Sequence, residues 1–209
     1  MSQLWIKICG ITRNSDAMAA LGYGADAIGL NFYPPSPRAI DLESIRNITD
    51  GIEGKTEVVA LFVDPSKSEV QAVLDSKRID MLQFHGSESV EFCESFEMPY
   101  MKVFRVKGSN AVELEIDHYK SAKMIMLDSF SEQAPGGTGK VFDWEIAKKI
   151  VNETEQKIVV AGGLSVENVQ TAVAQIHPFG VDVSSGVEKS HGVKDLEKVN
   201  AFIEGARSV

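Results

Sequence analysis

The sequence predicts an α/β protein, one domain over residues 1–209 closed into a (β/α)8 TIM barrel, on three observations. Strand-length apolar runs alternate with helix-like segments eight times along the 209 residues. Most of the runs are apolar throughout rather than alternating with polar residues, as parallel strands buried on both faces require. The length is near the roughly 200 residues at which such a barrel is most compact, with little room for a second domain. An open doubly wound sheet is the alternative; the count of eight units favours closure.

The first unit opens with Trp5-Ile6-Lys7-Ile8-Cys9, a strand stopped by Gly10, and continues in an alanine-rich helix from Asn14 to Leu21 that starts with capping residue types. Asp26 to Asn31 is the second strand. It runs into Pro34-Pro35-Ser36-Pro37-Arg38, where prolines forbid both helix and ladder and stiffen a loop that presents an arginine. A helix over 41–52, the strand 58–63 and a helix over 66–74 come next. Met81-Leu82-Gln83-Phe84-His85 then runs into a helix over 88–96. Residues 99–106 form the fifth strand and 111–119 a weak helix. The sixth strand, Lys123 to Asp128, ends in a carboxylate and meets a polar loop over 129–140 that is rich in glycine and suited to closing over a site. A helix over 142–151, the strand 157–161, a helix over 165–176, the strand 180–185 and a terminal helix over 193–206 complete the eight units.

Composition narrows the function. Hydrophobic residues at 44% and charged residues at 24% are ordinary for a globular chain. A formal charge of −9 without a basic stripe disfavours nucleic-acid and acidic-membrane partners. No secretory pattern and no membrane-length apolar run occurs, which predicts a cytoplasmic protein. Cys9 and Cys93 stand apart, without the His or Cys spacing of a metal site. The expectation is a reducing compartment without structural zinc, with Cys93 packed in the core.

In a parallel barrel every strand's C-terminal end lies at one mouth, where ligands bind. The period of two then points Lys7 with Cys9, Gln83 with His85, Met126 with Asp128, and Asp182 with Ser184 into the barrel. A thiol on the first strand and a carboxylate on the sixth suit a base and an acid on two sides of a small substrate. Asp182, set in an apolar strand, needs a partner, and Lys7 is the inward cation available. The stiffened Arg38 suits bidentate binding of a carboxylate. Gly162-Gly163 and Ser184-Ser185-Gly186 come after strands seven and eight, where such barrels hold phosphate on backbone N–H groups. Ala134-Pro135-Gly136-Gly137-Thr138-Gly139-Lys140 is only superficially a Walker loop, since Ala134 and Val141 occupy positions that require glycine and Ser or Thr. Each residue also has a structural use: Cys9 as a small core residue, Asp128 as a turn cap, His85 as a hydrogen-bonded ring.

Taken together, Lys7-Ile8-Cys9-Gly10-Ile11-Thr12, Ser36-Pro37-Arg38, Gln83-Phe84-His85-Gly86, Leu127-Asp128-Ser129, Gly136-Gly137-Thr138-Gly139 with Phe142-Asp143-Trp144, Ala161-Gly162-Gly163-Leu164 and Gly180 to Glu188 resemble the phosphoribosylanthranilate isomerase family of tryptophan biosynthesis. The resemblance covers nearly the whole chain. Phe84 replaces a more usual leucine, and no proline precedes Gly192. The resemblance implies an Amadori rearrangement of N-(5′-phosphoribosyl)anthranilate without metal or cofactor. In it Asp128 is the general acid and Cys9 the general base, helped toward thiolate by Lys7. It implies further that Arg38 takes the anthranilate carboxylate, that Gly163, Ser185 and Gly186 take the phosphate beside Gly162, and that Lys7, His85 and Asp182 belong to the substrate-binding pocket. The partner expected is a small phosphorylated substrate, and the chain itself a monomer or homodimer. A histidine-pathway isomerase with two aspartates, and a non-catalytic phosphate-binding barrel, are the rival readings.

Overall fold

In the computed structural model, residues 3–106, 115–129 and 144–209 are described. Eight strands, β1 (Trp5–Cys9), β2 (Ala27–Asn31), β3 (Glu57–Phe62), β4 (Met81–Phe84), β5 (Tyr100–Val106), β6 (Met124–Ser129), β7 (Ile158–Val160) and β8 (Gly180–Val183), close into a barrel in chain order. All eight pairings are parallel, including the closing seam of β1 on β8, where Lys7 is level with Asp182. The helices among the described residues are α1 (Asn14–Gly22), α2 (Ser44–Thr49), α3 (Lys67–Leu74), α4 (Val90–Glu94), α5 (Trp144–Glu153), α6 (Val169–Ile176) and α7 (Leu196–Arg207). None of them is long and apolar enough to cross a membrane. Residues 111–114 of the fifth helical segment and the loop after Ser129, including the glycine run over 136–139, lie outside the described residues. From 115 onward that helical segment includes a single 3-10 turn, Asp117–Tyr119.

The strands are near-continuous apolar runs because both of their faces are buried. The outer face packs on the helices through Ile6, Ile8, Ile28, Leu82, Phe84, Ile125 and Val181. The inner face forms a separate cluster of Trp5, Ala27, Val59, Met81, Met101, Val103, Met124, Met126, Val159 and Ala161, which fills the barrel below the mouth. Each large side chain buried in this way is worth about 1.5–3 kcal/mol, so the two clusters together dominate the fold's stability. Cys93 is fully buried in the outer cluster, and burial pushes its thiol up to about 12.

Several helices are shorter than the sequence predicts, for local reasons. Asp41 accepts the Ser44 N–H at 2.9 Å, which makes 41–43 a turn ahead of α2. Asn168 accepts the Ser165 N–H at 2.9 Å, so residues 165–168 are also a turn and α6 begins after them. Asn14 does not cap α1; its amide bonds the Ile48 and Asp50 carbonyls and ties α1 to α2. A reciprocal capping box occurs instead at Ser66 and Glu69. Residues 193–194, expected in the last helix, form β10 (Val193–Lys194) of a two-stranded ribbon with β9 (Glu188–Ser190), and Asp195 then caps α7. At the far end of α7, Arg207 donates to the Leu4 and Gly24 carbonyls and to Asp26, clamping the entries of β1 and β2.

Candidate active site

At the end of β1, Lys7 and Cys9 both point into the barrel. Gly29 on β2 makes room for them: a Cβ there would stand 2.7 Å from the Cys9 Sγ and 3.0 Å from the Lys7 Cε. Lys7 has no exposed surface, and its Nζ lies 2.6 Å from Oδ1 of Asp182 on the neighbouring strand. Burial alone would lower the Lys7 pKa; the Asp182 carboxylate overcomes it and the net direction is up. Lys7 is thus a charged group beneath Cys9, paired inside the barrel with Asp182.

Cys9 is itself buried. Burial pushes its thiol up, Lys7 and Lys194 pull it down, Asp182 adds to the rise, and the outcome is above the ordinary thiol value. Lys7 thus pulls the thiol down, the direction the sequence suggests, but with Lys194 it does not overcome the burial.

Arg38 leaves its proline-stiffened loop and lies over Gly10, where a Cβ would come within 2.5 Å of the Arg38 Cδ. Its fork is already engaged: Nε and Nη2 each donate at 2.7 Å to the two carboxylate oxygens of Glu188. That hydrogen-bonded pairing raises the Arg38 pKa. Glu188 accepts a further bond at 3.1 Å from Lys194, whose side chain is fully enclosed and also donates to the Ser184 carbonyl at 3.1 Å. Burial alone would raise the Glu188 pKa; Arg38 and Lys194 overcome it and hold the carboxyl below its ordinary value. The backbone N–H of Lys194 bonds buried Asp16 on α1 at 3.0 Å, which holds the ribbon against the barrel. Glu188 and Lys194 as working parts were missed from sequence; the available signal was Gly192, which marks a turn between two short polar runs.

Across the mouth, Nε2 of His85 stands 3.1 Å from Oδ2 of Asp128 on β6, so the expected acid and the expected pocket histidine form one pair. The end of β4 is held rigidly for this. The backbone N–H of Gly86 donates to Glu88, its carbonyl accepts from Lys102 at 2.7 Å, and Lys102 closes a buried pair with Glu88 at 2.7 Å. Any side chain at Gly86 would run into Asp64, itself held at φ 47° with its N–H on Glu88. Beside His85 a cleft of about 470 Å³ opens along β5, bounded by Lys102, Arg105 and Tyr119.

The loops after β7 and β8 meet as the sequence suggests. Gly162 and Gly163 take φ of 79° and 68°, a left-handed region in which side chains are strained. Ser185–Val187 is a 3-10 turn whose first N–H groups have no partner within the turn. Gly186 packs so tightly on the Leu164 carbonyl that a Cβ has no space, which joins the two loops into one backbone surface. Asn168 supports it by donating to the Gly163 carbonyl at 2.9 Å. Among the described residues no group of three His, Cys, Asp or Glu side chains is placed to hold a metal ion.

The mouth therefore carries a thiol and its cations on one side, a carboxylate with an imidazole on another, and a backbone surface rich in N–H groups between strands seven and eight. Residues 6–205 match the family model of N-(5′-phosphoribosyl)anthranilate (PRA) isomerase. The chain is 46% identical over 203 residues to the N-(5′-phosphoribosyl)anthranilate isomerase of Pseudomonas syringae pv. tomato, covering 97% of both chains. The crystal structure of phosphoribosyl anthranilate isomerase from Thermotoga maritima superimposes with a TM-score of 0.88 at 34% identity, over 99% of this chain and 100% of that one. A phosphoribosyl anthranilate isomerase solved in complex with reduced 1-(o-carboxyphenylamino)-1-deoxyribulose 5-phosphate does so with a TM-score of 0.84 at 32% identity, over 99% and 100%.

Proposed function

This chain belongs to the N-(5′-phosphoribosyl)anthranilate isomerase family, and we propose that its rearrangement of N-(5′-phosphoribosyl)anthranilate is divided between Asp128 as general acid and Cys9 as general base. The reaction is an isomerisation of tryptophan biosynthesis: an aminoaldose becomes an aminoketose, 1-(2-carboxyphenylamino)-1-deoxyribulose 5-phosphate. Asp128 gives its proton to the furanose ring oxygen as the C1′–O bond breaks, leaving an iminium between C1′ and the anthranilate nitrogen. The thiolate of Cys9 then takes the C2′ proton, and the electron pair moves toward the iminium to form an enolamine, which tautomerises to the ketone. The iminium is the electron sink, so the chemistry needs no further group.

The observation that carries this division is the placing of Cys9 and Asp128 on the mouth ends of β1 and β6, both on the inward face. His85, bonded to Asp128, orients the acid. Gly163, Ser185 and Gly186, with Gly162 setting the turn, receive the phosphate on backbone N–H groups. Arg38 offers the anthranilate carboxylate the part of its fork that Glu188 leaves open.

Freshly generated phosphoribosylanthranilate, mixed with the purified protein in EDTA and followed by loss of its fluorescence and by mass spectrometry of the product, tests the assignment. Cys9→Ala and Asp128→Asn should each keep the fold and lose about 10²–10⁴-fold in kcat, the usual worth of an acid or base. A folded variant of either with near-native kcat refutes that residue's role.

A further inference from the structure

Three cations and two carboxylates surround the first-strand thiol. Lys7 and Asp182 close one pair at 2.6 Å, whereas Arg38 and Lys194 share the single carboxylate of Glu188, at 2.7 and 3.1 Å. The second arrangement leaves one positive charge without a carboxylate. It is joined to the end of β1: Lys194 is bonded to the carbonyl of Ser184, and Arg38 with the Ser184 hydroxyl covers Gly10, the residue after the thiol. Lys194 is also fully enclosed and cannot spread its charge into water.

Building on the reading of Cys9 as the base, we propose that Lys194 is a positioning residue for it: the ammonium that Glu188 leaves unbalanced is a counterion that favours the Cys9 thiolate against the cost of burying it. The groups around Cys9 among the described residues are Lys7 on its own strand, Asp182 from β8, Ser184 just after it, uncharged Gly29 from β2, Arg38 from the loop after β2 and Lys194 from β10, with Glu188 of β9 behind them on Arg38 and Lys194. With the thiol neutral, this cluster carries one surplus positive charge; with the thiolate, it is balanced. Glu188 acts in two ways. It holds both cations in place, and it limits the charge they offer the sulfur, so the Glu188–Lys194 pair sets the strength of the base instead of merely anchoring the ribbon. The directions agree: burial lowers the Lys194 pKa and raises that of Cys9, while each group's charge counters that burial effect on the other.

Removing the two partners separates this role from a structural one, because the signs are opposite. The Cys9 ionisation is read as the ultraviolet absorbance of the thiolate against pH, by difference from Cys9→Ala in the same background. Lys194→Met should raise the midpoint by about 1 pH unit or more, the usual effect of one nearby charge. Glu188→Gln, which leaves both cations without their carboxylate, should lower it, and Lys194→Arg should restore it toward the native value. The acid limb of kcat/KM should move with the absorbance. Movement of both midpoints in one direction, or no movement in either, overturns the proposal, and if Lys194→Met fails to fold the fall expected of Glu188→Gln decides alone. The titration uses no substrate, so a protein with these shifts but no turnover would refute Cys9 as base and leave the electrostatic inference standing.

Discussion

Asp182→Asn isolates the charge of the buried pair while keeping the shape of the side chain. Lys7 is wholly enclosed and Asp182 nearly so, and the amide oxygen of asparagine can still accept the Lys7 bond that now measures 2.6 Å. What is lost is the opposite charge. A buried cation left without its carboxylate costs about 3–5 kcal/mol, whereas replacing both members by apolar groups is often neutral. Asp182→Asn should therefore lose about 3–5 kcal/mol in denaturant unfolding, and Lys7→Met with Asp182→Asn should recover most of it. The pH dependence gives an independent sign. In the native protein the Lys7 pKa is raised, so the pair's contribution is complete below the unfolded value and fades only above the ordinary 10.5. In Asp182→Asn burial is unopposed and the folded pKa falls; the folded state then binds fewer protons than the unfolded one, and stability rises with pH by up to about 1.36 kcal/mol per unit until the unfolded lysine also titrates. Both proteins are compared in a Cys9→Ala background, which removes the thiol's own titration. A loss under about 1 kcal/mol, or a double variant no more stable than the single one, would refute the view that Asp182 is there to balance Lys7.

Two further outcomes test the mouth. Gly186→Ala has no room against the Leu164 carbonyl, so it should separate the loops after β7 and β8 and raise KM for the phosphorylated substrate about tenfold or more, the equivalent of one good hydrogen bond to a charged group. An unchanged KM would place the phosphate elsewhere. Arg38→Ala should chiefly raise KM if the fork holds the substrate carboxylate; a change confined to kcat would show that Arg38 works instead through Glu188 and the thiol.

How much of this was legible in the sequence differs residue by residue. The eight strands were readable because a strand buried on both faces must be apolar along its length, and the ends of those runs located Cys9, His85 and Asp128 directly. Lys7 with Asp182 was readable for the opposite reason: a carboxylate between two valines needs a cation, and the period of two left one inward choice. Helix starts were overextended wherever a capping type bonds within a turn instead, as Asp41 and Asn168 do. The engagement of Arg38 by Glu188 left no local trace, since the two lie 150 positions apart and meet only after closure. Lys194 was hidden because a two-residue strand has no period to detect.

The seam between β1 and β8 also has a bearing on how the chain is made. Lys7 and Asp182 are neighbours across it, yet 175 positions separate them. At about 5–20 residues per second, a ribosome takes roughly 9–35 s to reach the last partner of the first strand. For that interval β1 has one edge without a hydrogen-bonding neighbour, and Trp5, Ile6 and Ile8 lack part of their cover. Lys7 meanwhile stays hydrated. The clamp of Arg207 on the entries of β1 and β2 comes later still, so the barrel closes only after its eighth strand and the helix that follows have been made. Nascent chains stalled before β8 should thus expose a strand edge that chaperones or other nascent chains can occupy, whereas chains extended past α7 should not.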